Sequence, residues 1–145
     1  MNTTELTAAS NTTRVVFVCE HGAAKSMIAA VTFNRLAAEH GLHAHAVSRG
    51  TDPDSEIPGL VVDGLRAHGE DVRAVQPIGL SPADAADAGL FVVFDVEAPA
   101  IVGDVSMRRW DGMPMVMENF AIAREAIGAR VLELVSELSE GATEV

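Results

Sequence analysis

The chain holds one cysteine and one lysine, and it has no apolar run approaching the ~20 residues that a membrane-crossing helix needs. A single cysteine excludes an internal disulfide, and it suits a reducing compartment. Met1 to Thr13 contain neither a basic segment nor an apolar one, so no secretory signal is expected and the cytoplasm is the expected location. Cations are scarce too: Lys25 and nine arginines stand against 21 acidic residues, leaving a net charge of −11. That balance excludes a nucleic-acid surface, and any anion site must gather its cations locally. Repeats, low-complexity tracts and interdomain linkers are missing. The histidines lack metal-ligand spacing; His43 and His45 alternate on an expected strand. No metal site, nucleic-acid partner or membrane partner is expected.

The 145 residues, 48% of them hydrophobic, suit one domain with one core. It is expected over residues 14–139, with a disordered arm over 1–13 and a frayed acidic tail over 140–145. Val15 to Val18 is a short, continuous apolar run, typical of a strand buried on both faces. A helix is expected from about Ser26, with Ala29, Phe33, Leu36 and Ala37 on one face and Gly41 at its end. His43 to Val47 reads as a strand closed by a turn at Ser48-Arg49-Gly50. Pro58 is placed to open a helix bearing Leu60, Val61 and Leu65, ended by Gly69. Ser81-Pro82-Ala83-Asp84 resembles a capping box. Leu90 to Phe94 and Met107 to Trp110 are further strands, and Phe120, Ile127, Val131, Leu134 and Leu138 stripe a last helix starting near Met117. Strands alternating with helices predict an α/β fold: a small, doubly wound, four-stranded parallel sheet flanked by helices. In such folds ligands bind at the carboxyl ends of the strands.

At one such end lies Cys19-Glu20-His21-Gly22-Ala23-Ala24-Lys25-Ser26, which contains both rare residues. A loop between a buried strand and a helix can aim its backbone N–H groups at one point, forming an anion nest. The start of the helix adds the positive end of its dipole. Gly22 permits angles that a side chain forbids, and Ala23 and Ala24 keep the approach open. Such a field favours thiolate over thiol, making Cys19 the candidate nucleophile. Ser26 is placed to hydrogen-bond the thiolate, and Lys25 to neutralise a bound oxyanion. Glu20, His21, Gly22, Ala23 and Ala24 are the candidate substrate-binding residues.

Val16-Phe17-Val18-Cys19 and the loop after it resemble the signature of the low-molecular-weight protein tyrosine phosphatases and related arsenate reductases: Cys, five residues, Arg, then Ser or Thr, directly after the first strand. The resemblance runs from Arg14 over nearly the whole chain. It takes in Phe33-Asn34-Arg35-Leu36, Ser48-Arg49-Gly50 and Trp110. The His21 position is nearer the arsenate-reductase branch. The resemblance implies a four-stranded parallel sheet, a covalent Cys19 intermediate, and phosphate, arsenate or a phosphorylated molecule as ligand.

Three departures stand out. Lys25 replaces an arginine, exchanging a two-pronged clamp for a point charge. The family's acidic Asp-Pro segment is missing: Trp110-Asp111-Gly112-Met113-Pro114-Met115-Val116 puts Met115 or Val116 where the acid belongs, with Asp111 as the nearest substitute. A second cysteine is absent, so a disulfide relay is excluded and a reductase would need an external thiol. No other cofactor is expected.

The functional readings are a phosphatase-like hydrolase, an arsenate reductase, and an oxyanion-binding or regulatory module with little catalysis. Other residues have two readings each. Arg49 positions the loop or substrate, or is a surface charge. Asp95 orients the loop or caps the next segment. One of Arg108 and Arg109 faces the site, or both merely flank a strand. Met107, Met113, Met115 and Met117 form ordinary packing in preference to an adaptable rim, and Trp110 belongs to the core.

Overall fold

The computed structural model describes residues 12–143. Four strands form one parallel sheet: β1 (Thr13–Cys19), β2 (Ala44–Gly50), β3 (Leu90–Val93) and β4 (Met107–Arg109). Their helices are α1 (Lys25–Glu39), α2 (Gly59–Arg66), α3 (Pro82–Asp87) and α4 (Phe120–Thr143), with a 3-10 turn at Ala100–Val102. The strand order is β2-β1-β3-β4, so the chain winds outward in one direction to β2 and in the other to β3 and β4. The direction reverses between β1 and β3, and a crevice opens there beyond the strand ends.

Period two on β1 divides the core. Val15, Phe17 and Cys19 face a large cluster with Ile28 and Phe33 of α1 and Ile127, Val131 and Leu134 of α4. Val16 and Val18 face the other side, among Phe91, Val93 and Val102. Both faces are covered, which is why β1 reads as an unbroken apolar run. Phe17 packs against Phe33, Phe94 and Trp110 at ring-centroid distances of 6.1, 6.2 and 5.7 Å, placing a rigid aromatic block beneath the end of β1. The edge of β2 is covered as well. Asn34 of α1 donates to the Ala46 carbonyl at 3.0 Å and accepts from the Ala46 N–H at 2.7 Å.

Several expected boundaries shift. β2 extends through Gly50 because it pairs with β1 along its full length, ending with Cys19 opposite Gly50. Ser48, Arg49 and Gly50 therefore belong to a strand, not a turn. Pro58 precedes α2 as its cap, and the helix begins at Gly59. α4 starts at Phe120, where the Asn119 side chain accepts from the Ile122 N–H at 3.1 Å. It continues to Thr143, through the segment expected to fray from Glu140. The expected arm lies outside the described residues up to residue 11, and Thr13 belongs to β1. Residues 144 and 145 of the expected tail also lie outside them. Among the described residues, no helix is long and apolar enough to cross a membrane.

Candidate active site

Cys19 ends β1, and the five residues Glu20 to Ala24 connect it to α1. Hydrogen bonds from β2 and the segment after it fix this loop. The N–H groups of Thr51, Asp52 and Asp54 donate to the carbonyls of Cys19, Glu20 and His21 at 3.1, 2.7 and 3.2 Å. The Ser48 hydroxyl donates to the Gly22 carbonyl at 3.2 Å, and the Ile28 N–H to that of Ala24 at 2.9 Å. These partners hold the loop's carbonyls. Its N–H groups are left over: among the described residues, no turn or loop hydrogen bond uses those of Glu20 through Ser26. Ala24 caps α1 without a side-chain bond, so the first donors of the helix are also available. An anion nest needs such donors.

Two glycines make this clasp possible. Gly22 has φ +62°, and a Cβ there would lie 2.7 Å from the Gly50 nitrogen. A Cβ on Gly50 would lie 2.8 Å from the Gly22 nitrogen. Backbone packs against backbone at this point.

Cys19 is 8% exposed. Its Sγ lies 2.9 Å from Ser26 Oγ, and Ser26 Oγ lies 2.6 Å from Ser48 Oγ. The shared hydroxyl protons give this chain two consistent arrangements. With a neutral thiol, Cys19 donates to Ser26, Ser26 to Ser48, and Ser48 to the Gly22 carbonyl. With a thiolate, Ser26 donates to sulfur and Ser48 to Ser26. The chain can therefore follow the ionisation of sulfur without moving heavy atoms. Ser48 has no site role in the sequence reading. The available signal is a small polar residue at the carboxyl end of a strand, on the same face as Ala46.

Lys25 donates to Asp95 Oδ2 at 2.7 Å, and its side chain is only 14% exposed. Asp95 lies two residues past the end of β3, across the switch point, and has φ +57°, the only positive φ outside glycine among the described residues. Its Oδ1 accepts from the Gly112 N–H at 2.9 Å, and its own N–H donates to Asp111 Oδ1 at 2.8 Å. Asp111 in turn takes two bonds from Arg109, at 2.9 and 3.2 Å. The Lys25 hydrogen bond holds the Asp95 carboxyl below its ordinary range, and Arg109 does the same for Asp111. Asp111 is thus a charged acceptor supporting Asp95. It does not line the cleft, and an ionised carboxylate has no proton to give. The alternative readings of Asp95 resolve toward orienting the loop's cation.

The cleft over Cys19 encloses about 370 Å³ and is lined by Glu20, His21, Lys25, Asp95 and an apolar side of Phe94, Val96, Met113 and Met115. Met115 is 55% exposed and Met117 is exposed too, so packing does not account for them. Met113 and Met115 form an apolar rim. Trp110 is buried, as expected. Arg49 is not brought to the cleft. It points to the opposite face of the sheet, because side chains on β2 alternate and Ser48 takes the cleft side. There Arg49 and Arg14 both pair with the buried Asp84 of α3, at 3.0 and 2.9 Å. The Asp84 carboxylate also accepts from the Ser81 N–H at 3.0 Å, completing the expected capping box. Arg108 pairs with Glu137 of α4.

His21 stands half-exposed at the lip. Its Nδ1 donates to the Asp52 carbonyl at 3.1 Å. That bond and the carboxylates of Asp54, Glu20 and Asp52 raise its pKa above the ordinary histidine value. Glu20, His21 and Asp52 bring possible ligand atoms within 4.8 Å of one another, but all three are exposed, as acidic groups without an ion often are.

A doubly wound sheet whose first strand ends in a cysteine beside free loop amides, two hydroxyls and one lysine presents a candidate oxyanion site centred on Cys19. The chain belongs to the low molecular weight phosphotyrosine protein phosphatase family, whose sequence model matches residues 14–131. No curated protein sequence matches it. Solved structures share the fold on both sides of the family. A thioredoxin-dependent arsenate reductase of Corynebacterium glutamicum is 23% identical, with a TM-score of 0.75 over 97% of this chain and 68% of that one. YfkJ from Bacillus subtilis is 19% identical, with a TM-score of 0.78 over 90% and 97%. A low molecular weight protein tyrosine phosphatase from the same organism is 14% identical, with a TM-score of 0.72 over 88% and 98%.

Proposed function

We propose that this chain is a cysteine-dependent phosphatase-like enzyme that acts on a phosphate monoester, with phosphotyrosine as a candidate, through the Cys19 thiolate. The observation that carries this reading is the combination of loop carbonyls held by other donors, with the amides of Glu20 to Ser26 taking no partner among the described residues, and Ser26 at 2.9 Å from the sulfur. Cys19 attacks phosphorus, the S–P bond forms as the P–O bond breaks, and water then hydrolyses the phospho-cysteine. The loop amides hold the equatorial oxygens. Lys25 adds charge, moderated by its bond to Asp95. Ser26, backed by Ser48, steadies the sulfur as it leaves. The backbone N–H groups of Glu20, His21, Gly22, Ala23 and Ala24 frame the phosphate. Arg49 is not assigned to substrate, and Asp111 is not assigned as the acid. Neither a metal nor an organic cofactor is needed for these steps. The test is hydrolysis of aryl phosphates by wild type and Cys19→Ser. A Cys19-dependent rate is expected; equal rates in the two proteins would overturn the reading.

A second reading, arsenate reduction with an external thiol resolving the Cys19 adduct, is favoured by the engagement of Asp111 with Arg109. Arsenate exchanges its oxygens readily, so a missing carboxylic acid matters less. Arsenite production with low-molecular-weight thiols distinguishes it. Oxyanion binding without turnover by either route would identify a regulatory module instead.

A further inference from the structure

The titratable groups lining the cleft are Cys19, Glu20, His21, Lys25 and Asp95. Lys25 and Asp95 are committed to each other. An acid for the leaving group must stand at the mouth, across the phosphorus from Cys19, because attack and departure are in line. Of the lining groups, His21 and Glu20 have the most exposed side chains, at 49% and 62%.

The His21 ring is held, although it is exposed. Asp54 N–H donates to the His21 carbonyl, and Asp52 N–H to that of Glu20, so the segment after β2 fixes the backbone of both residues. It also fixes the ring. Nδ1 lies 3.1 Å from the Asp52 carbonyl and 3.3 Å from Asp54 Oδ1. A carbonyl only accepts, so Nδ1 carries a proton in every protonation state of the bound ring. The proton that comes and goes is therefore on Nε2, which lies 3.6 Å from Glu20 Oε1. An imidazole anchored through Nδ1, with its other nitrogen beside a carboxylate at the lip of a thiol cleft, is arranged as a proton donor.

We infer that His21 is the general acid and base of this site, acting through Nε2 in the role that the missing carboxylic acid leaves open. This rests on the phosphatase-like reading. As Cys19 Sγ bonds to phosphorus, the P–O electron pair stays with the leaving oxygen, which takes the Nε2 proton. The neutral Nε2 then takes a proton from the water that attacks the phospho-cysteine, and the S–P pair returns to Cys19 as thiolate. Glu20, Asp52 and Asp54 face the imidazolium with negative charge; Lys25 is the cation of the same cleft, and Asp95 neutralises it. The hydrogen bond to the Asp52 carbonyl and these carboxylates keep the ring protonated to higher pH than a free histidine.

The test compares phenyl phosphate, whose leaving phenol has a pKa of about 10 like tyrosine's, with p-nitrophenyl phosphate, whose leaving group needs little protonation. The proteins are wild type, His21→Asn, His21→Ala and Cys19→Ser. His21→Asn is expected to slow phenyl phosphate about 100-fold and p-nitrophenyl phosphate less than about 3-fold. It should also abolish the decline in wild-type rate at alkaline pH. Added imidazole should restore phenyl phosphate hydrolysis to His21→Ala. Equal slowing of both substrates, no slowing, or a wild type that turns over only p-nitrophenyl phosphate would each overturn the inference while leaving the Cys19 reading standing. Wild type no faster than Cys19→Ser on either substrate would remove both.

Discussion

Lys25 and Asp95 set the charge of the anion nest between them. A lone lysine would present a full positive charge to an oxyanion; at 2.7 Å from Asp95 most of that field is cancelled. Asp95→Asn removes the negative charge and keeps a residue that tolerates the left-handed backbone. Inorganic phosphate is expected to bind about fivefold more tightly at low salt, roughly 1 kcal/mol, with the gain fading at high salt. Calorimetric titration checks this, and unchanged or weaker binding would show that Asp95 aims Lys25 more than it neutralises it. Ser48 acts one bond further from the chemistry. Ser48→Ala leaves Ser26 without its second partner, so kcat/KM for a Cys19-dependent substrate should fall about tenfold, equivalent to ~1.4 kcal/mol. The same variant at wild-type rate would remove Ser48 from the site.

Two junctions between elements stand out, one at the site and one on the far face of the sheet. In the first, the loop after β1 lies against the end of β2, glycine on glycine. Gly22→Ala combines a left-handed angle with a Cβ 2.7 Å from backbone nitrogen, and neither neighbour is a side chain that can turn away. A loss of about 1–3 kcal/mol is expected, together with loss of phosphate binding. Chemical denaturation and the same titration test both halves, and a stable variant that binds normally would contradict the clasp. In the second, Asp84 holds Arg14 of β1, Arg49 of β2 and the first turn of α3 on the far face. Asp84→Ala leaves two partly buried guanidinium groups unpaired and should destabilise the fold by about 3–5 kcal/mol. Once folded, it should change phosphate affinity little, which separates Arg49 from the substrate. A selective loss of affinity would return Arg49 to the site.

Charge acts on the whole molecule through pH. Hydrogen bonds to Lys25, Arg109 and Arg108 lower the pKa values of Asp95, Asp111 and Glu137 respectively. A carboxylate with a lowered folded-state pKa contributes stability above its unfolded value, about 4, and loses it as pH falls through the folded value. His21 has the opposite sign: its raised value gives a contribution present below about 6.5 that fades as pH rises through the folded value. Unfolding free energy is therefore expected to be flat between about pH 5 and 6.5 and to fall on acidification below about pH 4. Urea titrations across this range check it, and rising stability below pH 4 would contradict the sign. The sequence pI of about 4.7 lies near the acid edge of that window, where the repulsion from the net charge of −11 disappears and solubility should be lowest.

The sequence by itself determined the layers and put the candidate site at the end of β1. An apolar run in β1, helical stripes in α1 and α4, and glycine stops record burial, and burial in an α/β unit follows local period. Cys19, Gly22, Lys25 and Ser26 were legible because loop, thiol and helix start are contiguous in the chain. What the tertiary structure decided depends on residues far apart in sequence and adjacent only across the switch point. Lys25 meets Asp95 seventy residues later, Ser26 meets Ser48, and His21 meets Asp52. Arg49 went to the far face because full pairing of β2 with β1 set its alternation, which one short weak strand cannot announce. Asp111 is held by Arg109, a partner two residues away whose direction depends on where β4 ends. Local pattern fixes which groups are available. The sheet's winding fixes which of them share a proton or a charge, because hydrogen bonds and ion pairs act over a few ångströms and take no account of distance along the chain.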